Sequence, residues 1–259
     1  MSKLTFEEII SKPKANYEVI PLGINCTIAG YLRTCNLRKH ALPFDWVVTP
    51  IQSAIKLIDN GFDGFLCRDN LVFGTQRQYQ LFFKRYLKYG INLKFFERLI
   101  TPVICQKYRM LFVWDFLDSS DESYQNAYLK YSRRIQRLKD LLVSEEIDLI
   151  FVAYDGIPSE WERKEYAEAK IPLTNNFQNW KNELSIVLEA KYPQLNYTIC
   201  DFSQFSSYFG NSSSLSHKIR IRHKIRKLIS SGRSIFKFVK HKLSGLTPDT
   251  FDKGDLNAN

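Results

Sequence analysis

The chain has 259 residues, 44% hydrophobic and 25% charged, a composition ordinary for one large domain or two small ones. No window approaches the roughly eighteen uninterrupted apolar residues of a spanning helix, and residues 1–16 lack the apolar run and small-residue cleavage site of a secretory signal. Five cysteines with no Cys-x-x-Cys pair argue against a zinc site or a disulfide framework and for a reducing cytosol. The formal charge of +10 is concentrated: residues 217–242 hold ten Lys/Arg and no Asp or Glu, which leaves the rest of the chain neutral.

In chain order, residues 17–22 (YEVIPL) read as a first strand, with Gly23 as the turn after it. Residues 26–37 follow with helical spacing of Ile28, Ala29, Leu32 and Cys35, and Pro43-Phe-Asp-Trp46 breaks the pattern. A helix over 51–58 ends near Gly61, and the aromatic-rich span 76–99 reads as helix interrupted at Gly90. Residues 110–113 are a second strand candidate. The span 121–146 is the clearest helix: Tyr124, Tyr128, Tyr131, Ile135, Leu138 and Leu142 form its stripe, with Arg133, Arg134 and Arg137 mostly facing elsewhere. A buried strand over 147–152, a helix over 176–192 and a last strand over 196–200 complete the pattern.

Strands alternating with helices predict an α/β fold, a mainly parallel sheet sandwiched by helices in a single domain over residues 1–205. Ligands gather at the carboxyl ends of such strands, an edge expected to collect residues 23–26, 114–115, 154–156 and Asp201. Residues 206–216 read as a linker, 217–243 as a basic amphipathic helix and 244–259 as a disordered tail.

Four of the five cysteines are expected to act as small buried hydrophobes. Cys26 stands apart, because a thiol just after a strand and a glycine turn, opening a helix, meets backbone N–H groups and a helix dipole that favour its ionised form. A small residue closing a strand–helix turn is the alternative reading of the same position. Phe44 and Trp46 equally suit anchoring a loop in the core. The Asp155-Gly156 pair suits an ordinary turn, and the three arginines suit a solvated helix face or binding of a phosphate or sugar-nucleotide group.

This block resembles an uncharacterised bacterial family of papain-like cysteine peptidases, often found near surface-polysaccharide genes. The likeness is carried by Leu-Gly-x-x-Cys at 22–26, Leu37-Arg38, Pro43-Phe-Asp-Trp46 and the arginine-bearing helix at 133–137, and it spans roughly residues 17–155. The resemblance implies Cys26 as nucleophile and Asn25 as a side-chain donor toward an oxyanion. Asp45 would orient an imidazole or cap a helix. Related sequences carry His-Asp-Phe where this chain reads Trp114-Asp115-Phe116, and an indole accepts no proton at neutral pH. Of the four histidines, His40 alone lies outside the basic tail, so His40 or Asp115 is the expected assistant. The local order departs from papain itself: a strand runs straight into the cysteine turn, as in a strand–nucleophile–helix elbow.

In the tail, Ile221, Ile225, Leu228, Gly232, Ile235, Phe236, Val239 and Leu243 share one helical stripe. Its charges are Lys218, Arg220, Arg222, Lys224, Arg226, Lys227, Arg233, Lys237, Lys240 and Lys242. A continuous apolar stripe beside ten cations fits an anionic membrane surface better than nucleic acid, where the stripe has no purpose; a partner-protein groove or an untargeted basic tail are the other readings.

These readings combine into a cytoplasmic protein, peripheral on the inner face of the plasma membrane, hydrolysing or transferring an acyl group through a Cys26 thioester, its substrate an unknown peptide, acyl or glycan compound. No metal or organic cofactor is implied. Two alternatives stay open: a catalytically degenerate adaptor of polysaccharide assembly, and a glycosyltransferase-like protein, the latter lacking an Asp-x-Asp motif.

Overall fold

A computed structural model describes residues 4–23, 27–74, 101–112, 115–153 and 177–210. Strands β1 (Tyr17–Leu22), β6 (Asp148–Ala153) and β7 (Tyr197–Asp201) form a parallel sheet in the order β1-β6-β7. The register sets Tyr17 against Asp148 and Leu22 against Ala153 on one side of β6, and Leu149 against Tyr197 on the other. Both β1 and β6 are buried along their whole length, as a sheet covered on both faces requires.

Alternation along the strands divides the core in two. Tyr17, Val19, Ile150, Val152 and Cys200 pack with helices α1 (Phe6–Ile10), α2 (Thr27–Thr34) and α6 (Phe202–Gly210). Ile20, Leu22, Leu149, Phe151, Ala153 and Tyr197 face the larger cluster, built by α3 (Ile51–Asp59), α4 (Asp121–Leu142) and α5 (Phe177–Lys191). The α/β fold read from the sequence is therefore present, with a parallel sheet of three strands; the expectation of a mainly parallel sheet is corrected, because the other four described strands pair antiparallel.

Four further strands form a second, antiparallel sheet in the order β2-β5-β4-β3: β2 (Val47–Val48), β3 (Leu71–Phe73), β4 (Val103–Cys105) and β5 (Met110–Phe112). The strand expected at 110–113 thus joins this sheet and not the parallel one. The reason is local: only residues 106–109 separate β4 from β5, and so short a connection forces antiparallel pairing, whereas a parallel crossover needs a dozen residues or more. The inner side chains Val103, Cys105, Met110 and Phe112 belong to the same large core as β1 and β6.

Helix ends follow local chemistry. Asn36, at φ 55°, ends α2: its N–H donates to the Arg33 carbonyl and the Leu37 N–H to that of Leu32, the paired bonds of a Schellman cap. Ser120 caps α4 by accepting from the Ser123 N–H. The expected linker at 206–216 needs correcting at its start, because α6 runs on to Gly210. Its aromatic face holds it: the Phe205 ring lies 5.9 Å from Phe6, and Tyr31 stands edge-on to Phe202 at 5.2 Å. The expectations for 76–99, 154–156 and 211–259 lie outside the described residues.

Gly23 closes β1 at φ 136°, a conformation that a Cβ strains. Gly23→Ala is expected to destabilise the protein by about 1–3 kcal/mol, read as a lower urea midpoint at unchanged m-value; an unaltered midpoint overturns this account of the turn.

Candidate functional site

The chain leaves β1 through Gly23 and re-enters regular structure at Thr27, the first residue of α2. The Gly23 carbonyl accepts the Thr49 N–H at 3.2 Å, which ties the turn to the start of α3. Asn25, Cys26 and Trp114 lie outside the described residues; the site is therefore built from what surrounds them.

His40 is exposed. It follows Lys39, whose ammonium donates to the carbonyls of Ala15 (3.2 Å) and Tyr17 (2.5 Å), and it lies beyond the capped carboxyl end of α2. Gly23 and Thr27, which flank position 26, stand at the other ends of β1 and α2, and six strand residues rise about 20 Å. The expectation that His40 folds back toward the cysteine turn meets this obstacle: its segment is anchored at the opposite end of the strand.

Asp45 is 2% exposed. Its Oδ2 accepts from Arg38 Nε at 2.7 Å, lies 2.7 Å from the same guanidinium's second nitrogen, and accepts the Leu42 N–H at 3.1 Å. The Arg38 guanidinium also lies over the Trp46 ring, 5.8 Å from its centroid. Burial pushes the Asp45 carboxyl upward, against which Arg38, the Leu42 N–H and Arg134 all favour its ionised form. Asp45 therefore neither orients an imidazole among the described contacts nor caps α3, whose N-cap is Pro50 without a side-chain bond. It closes its own loop.

Arg134 corrects the helix reading. It is 3% exposed, its guanidinium 5.3 Å from the Tyr131 ring centroid, while Arg133 is exposed and Arg137 half-buried, its guanidinium 3.4 Å from the Ala41 carbonyl oxygen that accepts from it. The buried stripe of α4 is Ser123, Ala127, Tyr131, Arg134, Leu138 and Leu142. The steps are all three or four residues, so the signal for Arg134 was in the spacing. Tyr128 left the expected stripe and is 45% exposed.

Asp115 is buried through its side chain, with Oδ1 3.2 Å from Lys130 Nζ. It lies beside Tyr131, whose hydroxyl is pushed well up by burial first and by the Asp115 charge second. Three of the sequence motifs thus converge: Leu37-Arg38, Pro43-Phe-Asp-Trp46 and the arginine helix meet around Asp45, with Asp115 reached through Tyr131. The fourth, Leu22-Gly23, is joined to them through Thr49.

The remaining described thiols divide by environment. Cys105 and Cys200 are buried, Cys35 is half-buried and Cys67 is exposed, which corrects the expectation of four buried cysteines. Burial raises the thiols of Cys35 and Cys105 and pushes Cys200 up to about 12.

Truncating one partner of the Arg38–Asp45 pair strands the other charge in the core. Arg38→Met is expected to cost about 3–5 kcal/mol, whereas the double change Arg38→Met with Asp45→Asn recovers part of that loss; strictly additive losses in a double-mutant cycle would contradict the direct pairing.

Comparison with known proteins matches residues 17–179 to the family described as "Putative papain-like cysteine peptidase (DUF1796)". The chain is also 27% identical over 208 residues to an uncharacterized protein of Acanthamoeba polyphaga mimivirus, covering 77% of this chain and 83% of that protein. No solved structure gives a significant match. With well over half its length matched, the chain belongs to the DUF1796 family of papain-like cysteine peptidase description.

Proposed function

We propose that the protein is a cysteine-dependent hydrolase in which Cys26 is the nucleophile. The observation that supports this most is the frame around that position: a glycine turn at φ 136° ends a buried strand, and α2 begins at Thr27. A thiol set just ahead of a helix has its thiolate favoured by unpaired N–H groups. In the proposed reaction Cys26 Sγ adds to a carbonyl carbon. Asn25 and local N–H groups stabilise the oxyanion, and the leaving group departs with a proton to give a thioester. Water then hydrolyses the thioester; another acceptor in its place would make the protein an acyltransferase. A setting in surface-polysaccharide assembly belongs to the same proposal and rests on the family likeness.

Asp45 serves the loop and Asp115 is engaged by Lys130, so the proton acceptor for the thiol is sought in residues other than these two. Trp114, at the position where related sequences carry His, favours a second reading in which the protein has lost catalysis and works as an adaptor. Cys67, exposed in the same chain, is an internal reference that separates the two. Iodoacetamide labelling followed by peptide mass spectrometry is expected to modify Cys26 at least tenfold faster than Cys67 at pH 7. The rate midpoint at Cys26 should fall well below the ordinary thiol value of about 8.5. Equal rates and equal midpoints would favour the adaptor.

We further propose that the basic stripe over 217–243 holds the protein on an anionic membrane surface. Among the described residues no helix is long and apolar enough to cross a membrane, so attachment would be peripheral. Each cation near such a surface contributes about 1 kcal/mol. Flotation with phosphatidylserine vesicles is expected to carry the full chain upward and to leave a chain truncated after residue 216 at the bottom; co-flotation of both refutes the membrane role of the stripe.

A further inference from the structure

Parallel strands deliver their carboxyl ends to one edge of a sheet, where ligands of such sheets gather. Here Leu22 is in register with Ala153 and Ala153 with Asp201, so the three residues form a row across that edge. Neighbouring strands lie about 4.8 Å apart, which sets Asp201 about 10 Å along the edge from Leu22, the residue before the glycine turn. The helices repeat the juxtaposition. α2 starts at Thr27 and α6 at Phe202, directly after Asp201, and both pack on the same face of the sheet. They lie side by side: the Tyr31 ring is 5.2 Å from that of Phe202, and its hydroxyl donates to the Ser206 carbonyl at 3.1 Å.

Asp201 is anchored from the opposite face. α5 buries Trp180, Leu184 and Leu188 in the larger core and thereby brings Lys181 Nζ to 3.0 Å from Asp201 Oδ1. The two side chains stay 34% and 30% exposed, so the pair borders water at the strand ends. The carboxylates singled out earlier serve another place. β5 pairs Leu111 with Val48 and Phe112 with Val47, so it runs away from Thr49, whose N–H binds the Gly23 carbonyl. Asp115 follows that strand to Lys130 and Tyr131, and Asp45 is closed by Arg38. Among the described residues at the edge, Gly23, Thr27, Thr49 and Ala153 carry no group that takes up a proton at neutral pH. Asp201 does.

Resting on the reading of Cys26 as nucleophile, we propose that Asp201 is the general base of thioester hydrolysis, with Lys181 as its positioning residue. Asp201 takes a proton from a water whose oxygen adds to the thioester carbonyl carbon. The C–S bond breaks, the product leaves as a carboxylic acid, and Cys26 Sγ departs with the bonding pair and receives the proton from Asp201. Lys181 holds the carboxylate in place at the strand end.

Stopped-flow release of nitrophenolate from p-nitrophenyl acetate by the full chain tests the assignment, since the burst reads acylation and the steady phase reads thioester hydrolysis. The wild type is expected to give a burst that Cys26→Ala abolishes. Asp201→Asn is expected to keep the burst and to slow the steady phase about a hundredfold, so that acetylated Cys26 accumulates and is found by peptide mass spectrometry. Asp201→Glu recovers part of the rate, and hydroxylamine, a nucleophile that needs no base, restores release in Asp201→Asn. Lys181→Met slows the same phase by a smaller factor. A steady phase unchanged in Asp201→Asn, or a burst and steady phase that fall together, overturns the assignment and leaves Cys26 as nucleophile. A burst that survives Cys26→Ala, or none in the wild type, overturns the Cys26 reading and the assignment with it.

Discussion

A single buried carboxylate organises the part of this protein that its family shares. Asp45 has been carried out of water into the core beneath α4, and a charge so placed is tolerated only where cations and N–H groups replace its hydration. Arg38 supplies two nitrogens, the Leu42 amide a third contact, and Arg134 a second positive charge from across the core. Arg38 and Leu42 come from the same loop as Asp45, and Arg134 from a distant helix. Their meeting fixes the path of the chain from the end of α2 to the start of β2.

That path has consequences for both sheets. The loop delivers Val47 and Val48 to the antiparallel sheet opposite Phe112 and Leu111, and one residue later Thr49 binds the carbonyl of Gly23 at the end of the parallel sheet. Phe44 stacks on Phe62 at 5.8 Å, which seats the same loop against the residues after α3. The ionic cluster is therefore a joint between two sheets. The loop that carries Asp45 is thereby linked, through Thr49, to the turn at Gly23. Net stabilisation by such a cluster is small, because desolvation consumes most of the attraction. What it secures is one arrangement of the loop over its alternatives, since any other leaves Asp45 or Arg134 without compensation.

The same trade-off extends to Glu18. A strand residue pointing into the core beside a second carboxylate is costly, and its Lys39 partner stands farther off, at 3.7 Å, than Arg38 does from Asp45. The cluster thus has a well-compensated half and a poorly compensated half, whose cations Arg38 and Lys39 are adjacent on one loop.

Much of the architecture was legible along the chain. Residues 17–22 read as a strand because their β-branched and aromatic content ends at a glycine, and the same limits appear in β1. The long helix was legible because its apolar positions recur at three and four, and its observed end at Leu142 differs by one turn from the expected 146. Local chemistry determines such elements, since spacing and turn residues act over a few positions. Charge was harder to place. Arg134 falls on the buried stripe by spacing alone, and the Tyr131 ring is one helical turn away, yet an arginine there is unfavourable until Asp45 is brought to it. Asp45 lies far off in sequence, and only folding joins the two. His40 is the reverse case: close to Cys26 in sequence, it follows a lysine anchored at the start of β1, whereas the glycine turn lies at the end of that strand. The sequence by itself determined the strand, the glycine turn, the helices and the motifs that mark the family. Tertiary structure alone decided that β2 pairs with the distant β5 and that the motif carboxylate is a clamp, because long-range pairing and burial depend on contacts that local spacing does not encode.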